Sequence, residues 1–150
     1  MREPEEVLRG AETIVLVDWP SSDVPDTLAR AGYRVFVKGG PGPDDYNVRE
    51  VRDGEVISTP AGHAPAHADL VYAFRPLGEL PGIVDLARRA GAPVVWYQSG
   101  MTSAGARDPR ACWMDEADSR TARGLVEGSG LTYVDSAYIA DVARRIGTRA

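Results

Sequence analysis

Short apolar runs recur along the chain: TIVLV at 13–17, YRVFV at 33–37, LVYAF at 70–74, VVWYQSG at 94–100 with its polar end, and LTYV at 131–134. β-Branched and aromatic runs of this length, bounded by glycine, proline or polar residues, read as strands. Between them lie helical patterns. SSDVPDTLARAG at 21–32 offers Ser22 or Asp23 as an N-cap, Pro25 early, Leu28 and Ala29 on one stripe, and Gly32 as a stop. LGELPGIVDLARRAG places Leu80, Ile83, Val84 and Ala87 at helical spacing and closes with Gly91, and 114–129 and SAYIADVARRIG supply two further helices, the first despite Gly124. Short strands alternating with helices require right-handed crossovers in a mostly parallel sheet. The expected architecture is one doubly wound α/β domain with five to six strands and helices on both faces. VREVRDGEVIS at 48–58 sets Asp53-Gly54 between two alternating runs, a hairpin signal, whereas the Gly- and Pro-rich KGGPGPDDYN at 38–47 must be loop.

A chain of 150 residues builds one core. Residues 1–12 read as an N-terminal extension, 13–147 as the domain, and the polar, irregular 102–113 as a local insertion. No apolar run approaches the roughly 20 residues that span a bilayer. MREPEEVLRG has no apolar signal region and Cys112 has no cysteine to pair with, so the expected location is the cytoplasm. A net charge of −5 argues against nucleic acid as a partner. Lys38 is the only lysine among 17 basic residues, a coding bias of a GC-rich genome.

In doubly wound sheets ligands sit beyond the carboxyl ends of the strands, where the winding reverses. The strands here end in Asp18-Trp19-Pro20-Ser21-Ser22, Lys38-Gly39-Gly40, Arg75-Pro76, Gln98-Ser99-Gly100 and Asp135-Ser136. Any one polar end is explained by a chain leaving its core. Together, two cations, an amide, hydroxyls and glycines suit an anionic, hydrogen-bonding ligand. The candidate binding residues are Trp19, Ser21, Ser22, Lys38, Arg75, Pro76, Gln98, Ser99 and Gly100. An acid at the end of the second strand would accept from an NAD ribose, whereas Lys38 there favours NADP or coenzyme A (CoA). The first loop has no glycine, so the G-x-G-x-x-G turn that brings amides to a diphosphate is missing, and Asp18 and Asp23 add negative charge at that place. Either phosphates bind through the Ser21 and Ser22 amides or the pocket has lost its ligand.

ADLVYAFRPLGELPGIVDLARRAGAPVVWYQSGM, 68–101, resembles the stand-alone CoA-binding-domain proteins, Rossmann-type domains similar to the N-terminal part of the succinyl-CoA synthetase alpha chain. Phe74-Arg75-Pro76, Pro81-Gly82-Ile83-Val84 and Val95-Trp96-Tyr97-Gln98-Ser99-Gly100 carry the resemblance, and GYRVFVKGG is similar to the family's second strand. It spans about 13–142. The sequence departs from the family at the first turn, where Gly, Ser and a nearby Arg are usual, and at the last strand, where MDRC is replaced by Val134-Asp135-Ser136-Ala137. The resemblance implies a Rossmann-type fold and a CoA-binding module with a nucleotide-type ligand. The alternatives are a ligand-free protein acting through contacts, as a homodimer or beside a catalytic subunit, and an enzyme acting on a CoA ester or with an NADP-type cofactor.

Other chemistry is set aside. His63 and His67 are four apart, but Pro65 between them breaks the helix that would aim both at a metal. Cys112 has no histidine placed as its base. Tyr97 stands where G-x-S-x-G needs glycine, so Ser99 is no hydrolase nucleophile. Asp18 and Asp135 both end strands, as paired carboxylates or as solvated rim acids. Trp96 and Tyr97 face opposite sides of their strand. No catalytic residue and no metal ligand is expected.

Overall fold

A computed structural model describes residues 3–148. Its strands are β1 (Thr13–Val17), β2 (Arg34–Lys38), β3 (Tyr46–Arg52), β4 (Glu55–Pro60), β5 (Leu70–Ala73), β6 (Val94–Tyr97) and β7 (Thr132–Val134), in the sheet order β4-β3-β2-β1-β5-β6-β7. β2, β1, β5, β6 and β7 run parallel, and β3 and β4 join antiparallel at the β2 edge. The sheet therefore has seven strands, against the five to six expected. The difference lies in the hairpin. Tyr46 and Asn47, read from sequence as the end of a loop, open β3 and pair with Lys38 and Val37 of β2. Half-buried alternating strands need an edge to cover, and β2 supplies one. Asp53 (φ 51°) and Gly54 (φ 81°) form the two-residue turn between the paired Arg52 and Glu55. Positive φ at both turn residues matches the twist of the strands they join.

The helices are α1 (Pro4–Arg9), α2 (Asp23–Arg30), α3 (Leu80–Arg89), α4 (Glu116–Glu127) and α5 (Ile139–Ile146). Side chains alternate across the parallel strands, so each run feeds two cores. Ile14, Leu16, Val35, Leu70, Tyr72 and Trp96 pack beneath α1, α2 and α5. Val15, Phe36, Val71, Val95, Tyr97 and Tyr133 pack beneath α3 and α4. Val7 and Leu8 of α1 are buried, and the Leu8 carbonyl accepts the Tyr33 hydroxyl at 3.0 Å. Trp96 is fully buried and donates its indole N–H to the Ala137 carbonyl at 2.9 Å. Asp115 caps α4 by accepting the Asp118 amide at 2.7 Å. Among the described residues no helix is long and apolar enough to cross a membrane.

From β1 the chain winds outward to β2 and the hairpin, then returns past β1 to place β5 on its other side. The winding reverses between β1 and β5. Asp18 follows β1 and Phe74-Arg75 follows β5, so these residues flank the crevice where such sheets hold ligands.

Candidate ligand-binding cleft

A cavity of about 600 Å³ lies at this reversal. Asp18, Phe74 and Arg75 supply its β1/β5 side, and Tyr97 and Ser99 enter from the end of β6. The far wall comes from the segment after β6 and from the start of α4: Met101, Arg107, Trp113, Met114 and Asp118. Most of this wall is apolar. Trp113 is 45% exposed, one of two large apolar side chains exposed among the described residues.

The segment 99–113 is a folded flap. Met101 bridges Arg107, the Trp113 amide donates to the Met101 carbonyl at 3.0 Å, and the Gly100 amide donates to the Ala111 carbonyl at 2.9 Å. The β6 end fastens it. Gln98 is fully buried: its Oε1 accepts the Tyr72 hydroxyl and its Nε2 donates to the Pro109 carbonyl, each at 2.5 Å. Burial keeps the Tyr72 hydroxyl protonated, well above the usual tyrosine range, so it serves as a donor. Ser99 Oγ donates to the Trp113 carbonyl at 2.6 Å and accepts the Met101 amide at 3.2 Å. Gly100 has φ 68°, and a Cβ there would fall 2.4 Å from the Phe74 ring, so only glycine fits.

Charge in the cleft is unevenly available. The Arg75 guanidinium forks onto Glu79, with Nε at 3.1 Å and a terminal nitrogen at 2.6 Å, and its other terminal nitrogen reaches Asp18 at 2.9 Å. Glu79 first, then Asp18, pushes its pKa further above the usual arginine value. Arg107 makes no ion pair among the described residues and is the cation open to a ligand. At the first turn Asp18 adopts φ 62°, the left-handed region that Asp tolerates better than most side chains, and its Oδ1 accepts the Trp19 amide at 2.8 Å. Beyond it, Asp23 at the start of α2 accepts from Arg144 at 2.9 and 3.2 Å, from Tyr138 at 2.8 Å and from Thr27 at 2.9 Å. The Arg144 bonds outweigh partial burial and hold the Asp23 carboxyl at about 2.

The expected site residues are thus dispersed. Arg75, Pro76 and Ser99 line the cavity. Gln98 and Gly100 lie behind it, one fastening the flap and one seating Phe74. Trp19 packs against the α2 core with Arg49 5.6 Å from its ring, and the Ser21 and Ser22 carbonyls accept the Val24 and Asp26 amides of α2. Ser22 precedes α2 without a side-chain cap bond. Lys38 is elsewhere: its Nζ donates to the Gly40 and Gly42 carbonyls, each at 2.9 Å, beside a second hollow shared with Tyr46 and Arg89. Met101, Arg107, Trp113 and Met114 were not singled out from the sequence as binding residues. Their signal is a Trp-Met pair and a Met at the two ends of an otherwise polar segment.

His67 and Cys112, weighed above for other chemistry, lie outside this lining. His67 pairs with Asp69, which accepts the Glu12 and Thr13 amides at the opposite, amino end of β1. Burial, with help from Asp135 and Asp141, pushes the Cys112 thiol up to about 12, far from a reactive thiolate. Among the described residues no group of three acidic, histidine or cysteine side chains is arranged to hold a metal.

A family model described as a CoA binding domain matches residues 16–142. The chain belongs to the CoA-binding-domain family. No curated protein matches the sequence. Two solved structures of similar fold are Prb, a protein redesigned for binding (19% identity, TM-score 0.58, 95% of this chain and 89% of that one), and cell-free ID.343 from Thermus thermophilus (21%, 0.57, 97% and 99%). A protein of unknown function from Methanothermobacter thermautotrophicus is similar at 14% identity and a TM-score of 0.54, over 88% of this chain and 81% of that one. At these identities the likeness is one of fold. The family's ligand type can be held against the residues present. The apolar flap and Arg107 fit the long chain and one anionic group of such a ligand. The first turn does not fit a diphosphate, because Asp18 already uses the Trp19 amide and one face of Arg75, and Glu79 uses another.

Proposed function

We propose that this CoA-binding-domain protein is a binding module, without chemistry of its own, for a CoA-type ligand held mainly by its pantetheine-like chain. The observation that carries this reading is the cavity at the winding reversal, walled by Phe74, Met101, Trp113 and Met114 with Arg107 as the unpaired cation. An apolar pocket with a few polar groups is the usual form of a small-molecule site. Membership of the family supports the ligand class.

The test is a melting experiment with CoA and with pantetheine. A ligand at a hundred times its dissociation constant stabilises the native state by about 2.7 kcal/mol, which registers as a raised Tm. Trp113→Ala, changing an exposed ring, should leave the unliganded Tm nearly unchanged while weakening binding by about tenfold, as a truncated aromatic anchor does. No shift with either ligand at millimolar concentration, or full affinity in Trp113→Ala, would overturn the reading. Native mass spectrometry of the purified protein would show whether it carries such a ligand from the cell.

A further inference from the structure

Resting on that reading, we propose that Asp18 is a specificity-determining residue: its carboxylate stands in for a ligand anion at the β1 turn and turns the cleft against ligands that bring a diphosphate there. In doubly wound sheets, anions are received by amides at the turn between the first strand and its helix. A phosphate recruits backbone N–H groups and a guanidinium. Asp18 has recruited both from within the chain, the Trp19 amide at 2.8 Å through one oxygen and Arg75 at 2.9 Å through the other. Its backbone, at φ 62°, belongs to the conformation that glycine, asparagine and aspartate adopt with least strain. Of these three, only aspartate places a charge in the turn.

The neighbouring groups strengthen the effect. Glu79 covers the rest of the Arg75 fork, so a diphosphate approaching Arg75 meets a carboxylate on each side. At the start of α2 the next cation, Arg144, is committed to Asp23 and Asp141. Among the described residues each cation beside this turn already faces a carboxylate, with Arg49, over the Trp19 ring, 3.7 Å from Asp26, and bringing like charges together in a partly enclosed cleft is costly. On the other side Arg107 and the apolar flap remain open. The cleft thus favours the pantetheine-bearing part of a CoA-type ligand and gains nothing from the diphosphate.

Calorimetric titration of the parent, Asp18→Asn and Asp18→Gly with CoA and with pantetheine tests this. Both substitutions suit the backbone at position 18, and melting curves check that the variants are folded. In the parent, CoA should bind more tightly than pantetheine by no more than a single anionic contact to Arg107 supplies. Removing the charge in Asp18→Asn should tighten CoA on the order of tenfold, since a like-charge contact is relieved. Asp18→Gly, which also frees the Trp19 amide, should tighten it further. Pantetheine, which is uncharged, should bind all three proteins alike. Equal or weaker CoA binding in both variants, or a gain shared by pantetheine, overturns the proposal. CoA bound equally by all three proteins would remove the role of Asp18 and leave the cleft as a CoA-type site. CoA bound by the variants alone, with neither ligand bound by the parent, would uphold Asp18 and overturn the functional reading. Neither ligand bound by any protein overturns both.

Discussion

The two βα turns that bound the cleft solve the same problem in opposite ways. After β1, the turn satisfies its donors with its own carboxylates: Asp18 takes the Trp19 amide and Arg75, and Asp23 takes Arg144, Tyr138 and Thr27. After β6, the chain buries its polar groups behind the surface and turns outward an apolar flap bearing Met101 and Trp113. The first turn is closed by charge and the second is held open by fastening. Within one fold, recognition can therefore move from the turn that conventionally carries phosphates to the wall facing it.

The largest effect expected in breaking this contrast is on the flap. Gln98→Ala strands the buried Tyr72 hydroxyl, at a cost of about 1–3 kcal/mol, and releases the carbonyl of the exposed Pro109. Urea unfolding should show the loss. Tryptic cleavage after Arg107 and Arg110 should quicken as the flap loosens. Parent-like stability and cleavage would mean that Gln98 does not fasten it.

A smaller effect belongs to the first turn and depends on pH. The Asp23 carboxyl is lowered from 3.8 to about 2 in the folded protein, chiefly by its hydrogen bonds with Arg144. A depressed carboxylate adds stability that is present above the unfolded value and is lost as pH falls through the folded one. The parent should accordingly lose this contribution between about pH 4 and pH 2. Asp23→Asn should be the less stable protein at neutral pH, and its deficit should shrink across that interval. Because the group is partly exposed, the difference should also diminish in high salt. A deficit independent of pH would trace the effect to lost packing instead. The smallest effect should come from Lys38→Ala, since its ammonium is closed onto the Gly40 and Gly42 carbonyls away from the cleft. Titration with CoA should give the parent affinity, and a marked loss would return Lys38 to the site.

Much of the architecture was legible because it rests on local patterns. Both strand faces of VVWY, the Leu80-Ile83-Val84-Ala87 stripe and the Asp53-Gly54 turn are set by neighbours in sequence. The number of strands was not, because the pairing of β3 with the edge of β2 is a tertiary choice that Tyr46 and Asn47 do not announce. The cleft was legible only in outline. Strand ends located the rim at Arg75 and Ser99, but whether an amide such as Gln98 faces ligand or loop depends on where Pro109, 11 residues later, comes to rest. The flap has no periodicity to read. Its shape is set by hydrogen bonds, some from the β6 end at Gln98 and others between its own residues, such as the Trp113 amide to the Met101 carbonyl, rather than by an apolar pattern.

Helix α1 lies ahead of the family match, which begins at residue 16, and yet Val7 and Leu8 are as deeply buried as any strand residue. Leu8 also lends its carbonyl to Tyr33, at the approach to β2. The stretch that the family model matches and the stretch that closes this protein's interior are therefore different lengths of chain. A shortened version that omitted α1 would uncover an oily stripe along α5, against which α1 packs, and would be prone to self-association for reasons unconnected with its ligand.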